Sequence, residues 1–228
     1  MSKNTSVLSS SSSQIILSSR ARICLVVAWS TSLLASFLAV LNWGQSLDWQ
    51  LHLNAYTIFP VLGLLAFSLM WSHYIAALVR RRLGVEAGVL HRYFEVTSLL
   101  VLALILLHPG LLILQRFIDG YGLPPKSYES YVAPGLGWVT VLGSVSLLAF
   151  LAFEFRRFFA DRSWWKYVPM AGDAAMLAIV YHGLRIGDQL QSGWYRYVWY
   201  IYAVILIGIL ATNYFQRYSR PATQKAPN

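Results

Sequence analysis

Six stretches of this chain are apolar for long enough to cross a bilayer, and nothing else in the sequence constrains the fold as strongly. They fall near residues 21–43, 56–79, 91–114, 132–155, 167–186 and 196–214. A hydrocarbon core of about 30 Å is crossed by about 20 helical residues. Lipid offers the backbone no hydrogen bonds, so each segment must satisfy its own as a helix. The expected fold class is therefore all-α: a polytopic membrane protein whose six-transmembrane-helix bundle occupies residues 21–216. A Ser-rich polar tail over residues 1–20 is expected to be disordered, and residues 217–228 form a short polar tail. The first tail lacks the basic segment and short apolar core of a signal peptide. Charged residues make up 12% of the chain and the mean hydropathy is +0.52, whereas a soluble domain carries roughly 25% charge.

The basic residues give the orientation. With six spans both termini lie on one side, and that side collects fourteen of the eighteen Lys and Arg, among them Arg80, Arg81, Arg82, Arg92, Arg162 and Lys166. Arg116, Lys126, Arg185 and Arg196 fall opposite. The positive-inside rule makes the first side, and both termini, cytoplasmic. The net charge of +9 is thus accounted for by topology, and no basic face on a soluble element points to nucleic acid. Aromatic clusters at WSHY (71–74), SWWKY (163–167) and WYRYVWYIY (194–202) are expected to form interfacial belts. The single cysteine, Cys24, excludes an intrachain disulfide and cysteine-ligated iron or zinc, and is expected to pack as a small apolar residue. No phosphate-binding loop, dinucleotide fingerprint or nucleophile elbow occurs, and no internal repeat of the kind transporters carry stands out.

Histidine is costly at membrane depth and usually faces a bundle interior. Of the five, His52 lies in the first outer connection, where a solvated residue needs no function. His73 and His91 fall in the cytoplasmic half, on the second and third helices. His108 follows His91 by 17 residues, roughly 25 Å at about 1.5 Å per residue, and His182 lies near the outer end of the fifth helix. His108 and His182 therefore approach the outer surface at one depth on different helices. Two such imidazoles are how a helical bundle holds haem iron from both faces. Other metals add carboxylates or cysteines, and Asp119 and Asp188 lie beyond the helices in the outer connections. Haem b at the outer pair is the economical reading, with His73 and His91 as candidate ligands of a second, inner haem. His91 and His108 point about 100° apart on an ideal helix, so they serve different neighbours or only one is a ligand. Arg92 beside the inner pair and Arg185, one turn past His182, are the candidate partners of haem propionates. Glu95, one turn after His91, and Asp173, near the start of the fifth helix, are carboxylates at membrane depth. They are read as orienting or proton-carrying groups, or as partners of the cytoplasmic arginines.

RRRLG (80–84) leading into the third helix, LILLHPGLLIL (104–114), AIVYHGL (178–184) and the basic connection over 154–167 resemble the ferric reductase-like transmembrane domain family. That family includes the membrane parts of ferric reductases and NADPH oxidases, and the haem-binding subunit of the bacterial methionine sulfoxide reductase system. The outer pair carries over. The inner does not, because the family's 13- or 14-residue histidine spacing meets Ile105 after His91, and Pro169 and Val168 before His182. The resemblance implies a multi-pass protein of the bacterial inner (cell) membrane and an oxidoreductase component. It implies electron transport through haem b, from a quinol or a separate reductase toward an acceptor at the outer face. Two other classes stand beside it. One is a cofactor-free assembly or interaction subunit. The other is a proton or solute transporter using Glu95, Asp173, His73 and His91.

Overall fold

A computed structural model of the chain describes residues 18–50, 54–155 and 159–219. Both expected tails lie mostly outside the described residues, and so does His52. The described residues form α1 (Ser19–Ser46), α2 (Ala55–Leu83), α3 (His91–Ile118), the single turn α4 (Lys126–Glu129), α5 (Gly137–Glu154), α6 (Val168–Ile186) and α7 (Trp194–Tyr218), with no strand among them. Short 3-10 turns over Ala87–Leu90, Ser163–Tyr167 and Asp188–Leu190 lead into α3, α6 and α7. Local chemistry sets the boundaries. Ser18 caps α1 by accepting from the Ala21 N–H, and Asn54 and Thr57 form a reciprocal capping box on α2. Gly84, with φ of 63°, ends α2 in the left-handed conformation that glycine adopts without strain.

Four helices are long and apolar enough to cross a membrane: α1, α2, α3 with its preceding turn, and α7. The chain is thus a membrane-embedded helical protein. The other two expected spans fall short of that standard for separate reasons. The stretch expected from residue 132 becomes helical only at Gly137, because Pro134 and Gly135 (φ 83°) turn the chain. Its 18 residues then reach about 27 Å at about 1.5 Å per residue. α6 carries Asp173, His182 and Arg185 in 19 residues, which lowers its apolarity.

The packing inverts that of a soluble bundle. α1 buries a stripe of small residues, Ala21, Cys24, Ala28, Ser32, Ala35 and Ala39, and exposes Val26, Leu33, Leu34 and Phe37, each at least 60% accessible. Small side chains let backbones approach, and large apolar ones face lipid. Cys24 is a packing residue at 0% exposure. Helices alternate in direction: Tyr56 at the start of α2 donates to Asp119 just past α3, and Trp194 at the start of α7 donates to Gln45 near the end of α1. At the far end Arg81 donates to Asn213. The aromatic run of α7 is only in part a belt. Tyr195, Trp199 and Tyr202 recur at helical spacing as its buried face, and Trp199 stacks on Phe67, with Trp71 on Tyr202. Tyr197 and Tyr200 remain exposed.

α1, α2 and α3 are joined by a closed set of hydroxyls. Ser32, Ser72 and Tyr93 lie 2.7 to 2.9 Å from one another, all buried. Removing the Tyr93 hydroxyl takes one partner from each serine, although Ser32 still donates to the Ala28 carbonyl and Ser72 to the Leu69 carbonyl. Tyr93→Phe is expected to cost about 0.5–1.5 kcal/mol, read as a lowered melting temperature of the detergent-solubilised protein. Phe94→Tyr, on the neighbouring position, lacks that penalty.

Candidate functional site: a cavity with two histidines

His108 and His182 line one cavity, and it is built by two helical hairpins. α2 and α3 form the first, α5 and α6 the second, and α7 closes the space with Trp199. The cavity volume is about 180 Å³. The walls are apolar, with Leu64, Phe67, Met70, Leu112, Leu147 and Phe150 among them. Pro60 and Pro109 also line it. Each lacks the N–H that would close a helical bond to Tyr56 or Ile105, so both walls of the first hairpin have an interrupted ladder at this depth.

Each histidine is held by the helix before it. His108 Nδ1 lies 2.7 Å from the Phe59 carbonyl oxygen, and its ring packs on the Phe59 ring at 5.3 Å between centroids. His182 Nδ1 lies 2.9 Å from the Val139 carbonyl oxygen. A carbonyl only accepts, so Nδ1 is the donor in both rings. The neutral imidazole then carries its lone pair on Nε2, and neither Nε2 has a hydrogen-bond partner among the described residues. An imidazole that donates its second N–H to a carbonyl is oriented and made more basic, as metal-bound histidines are.

The donor set restricts what could bind. Among the described residues no three His, Cys, Asp or Glu side chains come together, whereas a bare zinc ion takes four protein ligands or three and a water. Two imidazoles and apolar walls suit a metal whose remaining positions are filled by its own macrocycle.

The other expected site residues fall elsewhere. His73 contacts Thr97, with Nε2 2.6 Å from its hydroxyl, and packs edge-on against Tyr93 and Phe94. His91 and Arg92 are exposed at the start of α3, and His91 is not among the partners of His73. Glu95 is exposed and makes no hydrogen bond with His91 among the described residues. Arg185 lies in a polar pocket at the end of α6 that shares Pro60, Tyr131, Ile186, Asp188 and Gln189 with the histidine cavity, so it stands at the cavity's mouth. Just past α3, hydrogen bonds from Tyr56 and Gln115 hold the Asp119 carboxyl below its usual range, so that tie is complete above the ordinary carboxyl pKa and lost as pH falls through the lowered value. Arg116 is buried, stacks over Tyr121 with 3.4 Å between guanidinium carbon and ring centroid, and donates to Ser130, pinning the long outer connection.

The carbonyls of Phe59 and Val139 have no counterpart in the expectations from sequence. A backbone acceptor has no residue signature, and its role depends on which helices pair. Asp173 is the second finding the sequence left open: it accepts from the Tyr74 hydroxyl of α2 and the Tyr214 hydroxyl of α7, each at 2.9 Å.

Compared with protein-family models, curated proteins and solved structures, the chain matches none. Fold and cavity together define the class: a membrane-embedded helical protein with a two-histidine apolar cavity opening beside a polar mouth.

Proposed function

We propose that this chain is a membrane electron-transfer subunit holding one haem b between His108 and His182. The observation that carries the reading is the shared state of the two rings. Both donate Nδ1–H to a carbonyl of the preceding helix, and both leave Nε2 unpartnered at one apolar cavity. Haem b held by two imidazoles passes single electrons by cycling between ferric and ferrous iron. The chain supplies the rest. Apolar side chains exclude water, the carbonyls orient both imidazoles and leave Nε2 as the free nitrogen, and Arg185 at the mouth is the candidate partner of a propionate.

One haem rather than two is favoured, because His73 spends its Nε2 on the Thr97 hydroxyl and His91 is exposed at the start of α3. α5 and α6 complete a six-helix bundle in this reading, with the termini on the cytoplasmic side of a bacterial cell membrane. A quinol or a separate reductase supplies electrons, and the cavity mouth marks the side where they leave. The test is optical: protein purified from haem-replete cells is expected to show a Soret band and a pyridine haemochrome of haem b near one per chain. A colourless preparation overturns the reading and favours the cofactor-free assembly subunit.

A further inference from the structure

We propose that the cavity is built from two copies of one half-site, and that Gly63 and Gly143 are its positioning residues. The two hairpins repeat one geometry. In the first, Phe59 offers its carbonyl to His108, and four residues later Gly63 lies under the same ring. In the second, Val139 offers its carbonyl to His182, and four residues later Gly143 lies under that ring. A spacing of four places carbonyl and glycine on one face of the helix, one turn apart. In both hairpins the histidine sits late in the returning helix.

The glycines are needed for close approach. A Cβ built on Gly63 would stand 2.8 Å from His108 Cε1 and Nδ1, and one on Gly143 would stand 2.6 Å from His182 Cε1 and 2.7 Å from its Nδ1. Contacts under 3.0 Å force something to shift. A free side chain would swing aside, but each ring is tied through Nδ1 and moves only by giving up that bond. Gly110 and Gly208, also within helices, would meet nothing within 4 Å. Other close glycines meet Trp49, Phe153, Trp199 or the Gly183 carbonyl; Gly63 and Gly143 alone among those described would meet histidine.

The two helices that carry the glycines also share short apolar words, in different register. VLG at 61–63 is followed at once by LLAF (64–67), and VLG at 141–143 is followed after SVS by LLAF (147–150). Phe67 and Phe150, the last residues of the two matches, both line the cavity. Resting on the haem reading, the repeat also narrows the ligand class. Two equivalent imidazoles suit a planar group that takes one donor of the same kind on each face.

A double-mutant cycle on haem-free, detergent-solubilised protein tests the niches separately from the haem. Gly143→Ala is expected to lower the melting temperature by several degrees when His182 is present, and to cost almost nothing in His182→Ala protein, where the ring is gone. Gly63→Ala should behave likewise with His108→Ala, and Gly110→Ala and Gly208→Ala, with open space at Cβ, should leave stability unchanged or slightly raised. If Gly143→Ala protein does not accumulate, its recovery on adding His182→Ala supports the proposal in the same way. Glycine variants that are neutral with their histidine present, or equally costly without it, overturn the proposal. In haem-loaded protein Gly143→Ala should also shift the low-spin resonance signature, which a loss of helix stability alone would not do. A colourless wild type with an intact cycle would sink the haem reading and leave the niches standing.

Discussion

His182→Ala protein, and equally His108→Ala protein, is expected to lose the six-coordinate low-spin haem spectrum, with Soret absorbance per chain falling to background or changing to a high-spin form. On the haem reading each variant removes one of two ligands, and among the described lining residues no third histidine or cysteine stands ready to replace the lost ring. Each also takes the second hydrogen bond from a helical carbonyl, Val139 or Phe59, which keeps its own helical N–H partner. That adds about 1 kcal/mol to the cost, so stability and haem content should be measured on the same samples. His91→Ala and His73→Ala should keep the wild-type spectrum, because neither ring reaches the cavity. Unchanged low-spin spectra in both His108→Ala and His182→Ala would remove the two-histidine centre. Loss on His91→Ala with retention on His182→Ala would move the haem to the opposite end of the bundle.

The second large effect is expected at Asp173. Its carboxylate takes one tyrosine hydroxyl from α2 and one from α7, and the contact between α6 and those helices is otherwise slight beside the contact between α5 and α6. Charge-assisted hydrogen bonds contribute about 1.5–3 kcal/mol each, and membrane interiors give the lower end. Asp173→Ala should therefore destabilise the fold by about 2–4 kcal/mol, a fall of roughly 4–16 °C for a chain of this size. Tyr74→Phe should show about half of it. Asp173→Asn keeps the shape and one good acceptor, so it should fall between wild type and Asp173→Ala. Thermal unfolding of the four proteins in one detergent decides this; an Asp173→Ala protein as stable as wild type would show that the second hairpin needs no such tie.

The legible parts of the site were those that depend on position along a helix. The shared depth of His108 and His182 followed from counting residues, and the 100° between His91 and His108 separated them onto different faces before any contact was known. Arg185 stood out in the sequence as one of four basic residues apart from the other fourteen, and in the structure it lines the pocket adjoining the histidine cavity. The illegible parts depend on faces. WYRYVWYIY reads as an interfacial belt because its composition is that of one, but Tyr195, Trp199 and Tyr202 lie inside because α7 turns that stripe toward α2. Glu95 reads as a partner of His91 one turn away, yet both are exposed, because the start of α3 turns them away from its neighbours.

From sequence alone the chain was fixed as a helical membrane protein, because apolar length and backbone hydrogen bonding are properties of each segment by itself. The histidine pair was nominated on the same footing. Only the tertiary structure decided that α5 and α6 pack chiefly on each other and meet α2 and α7 through Asp173. It also decided that Nδ1 of each ring is spent on a carbonyl, and that two glycines clear the space for those rings. These facts rest on the rotation of one helix against another. That rotation is set by side chains of two segments far apart in the chain, so neither segment carries it alone.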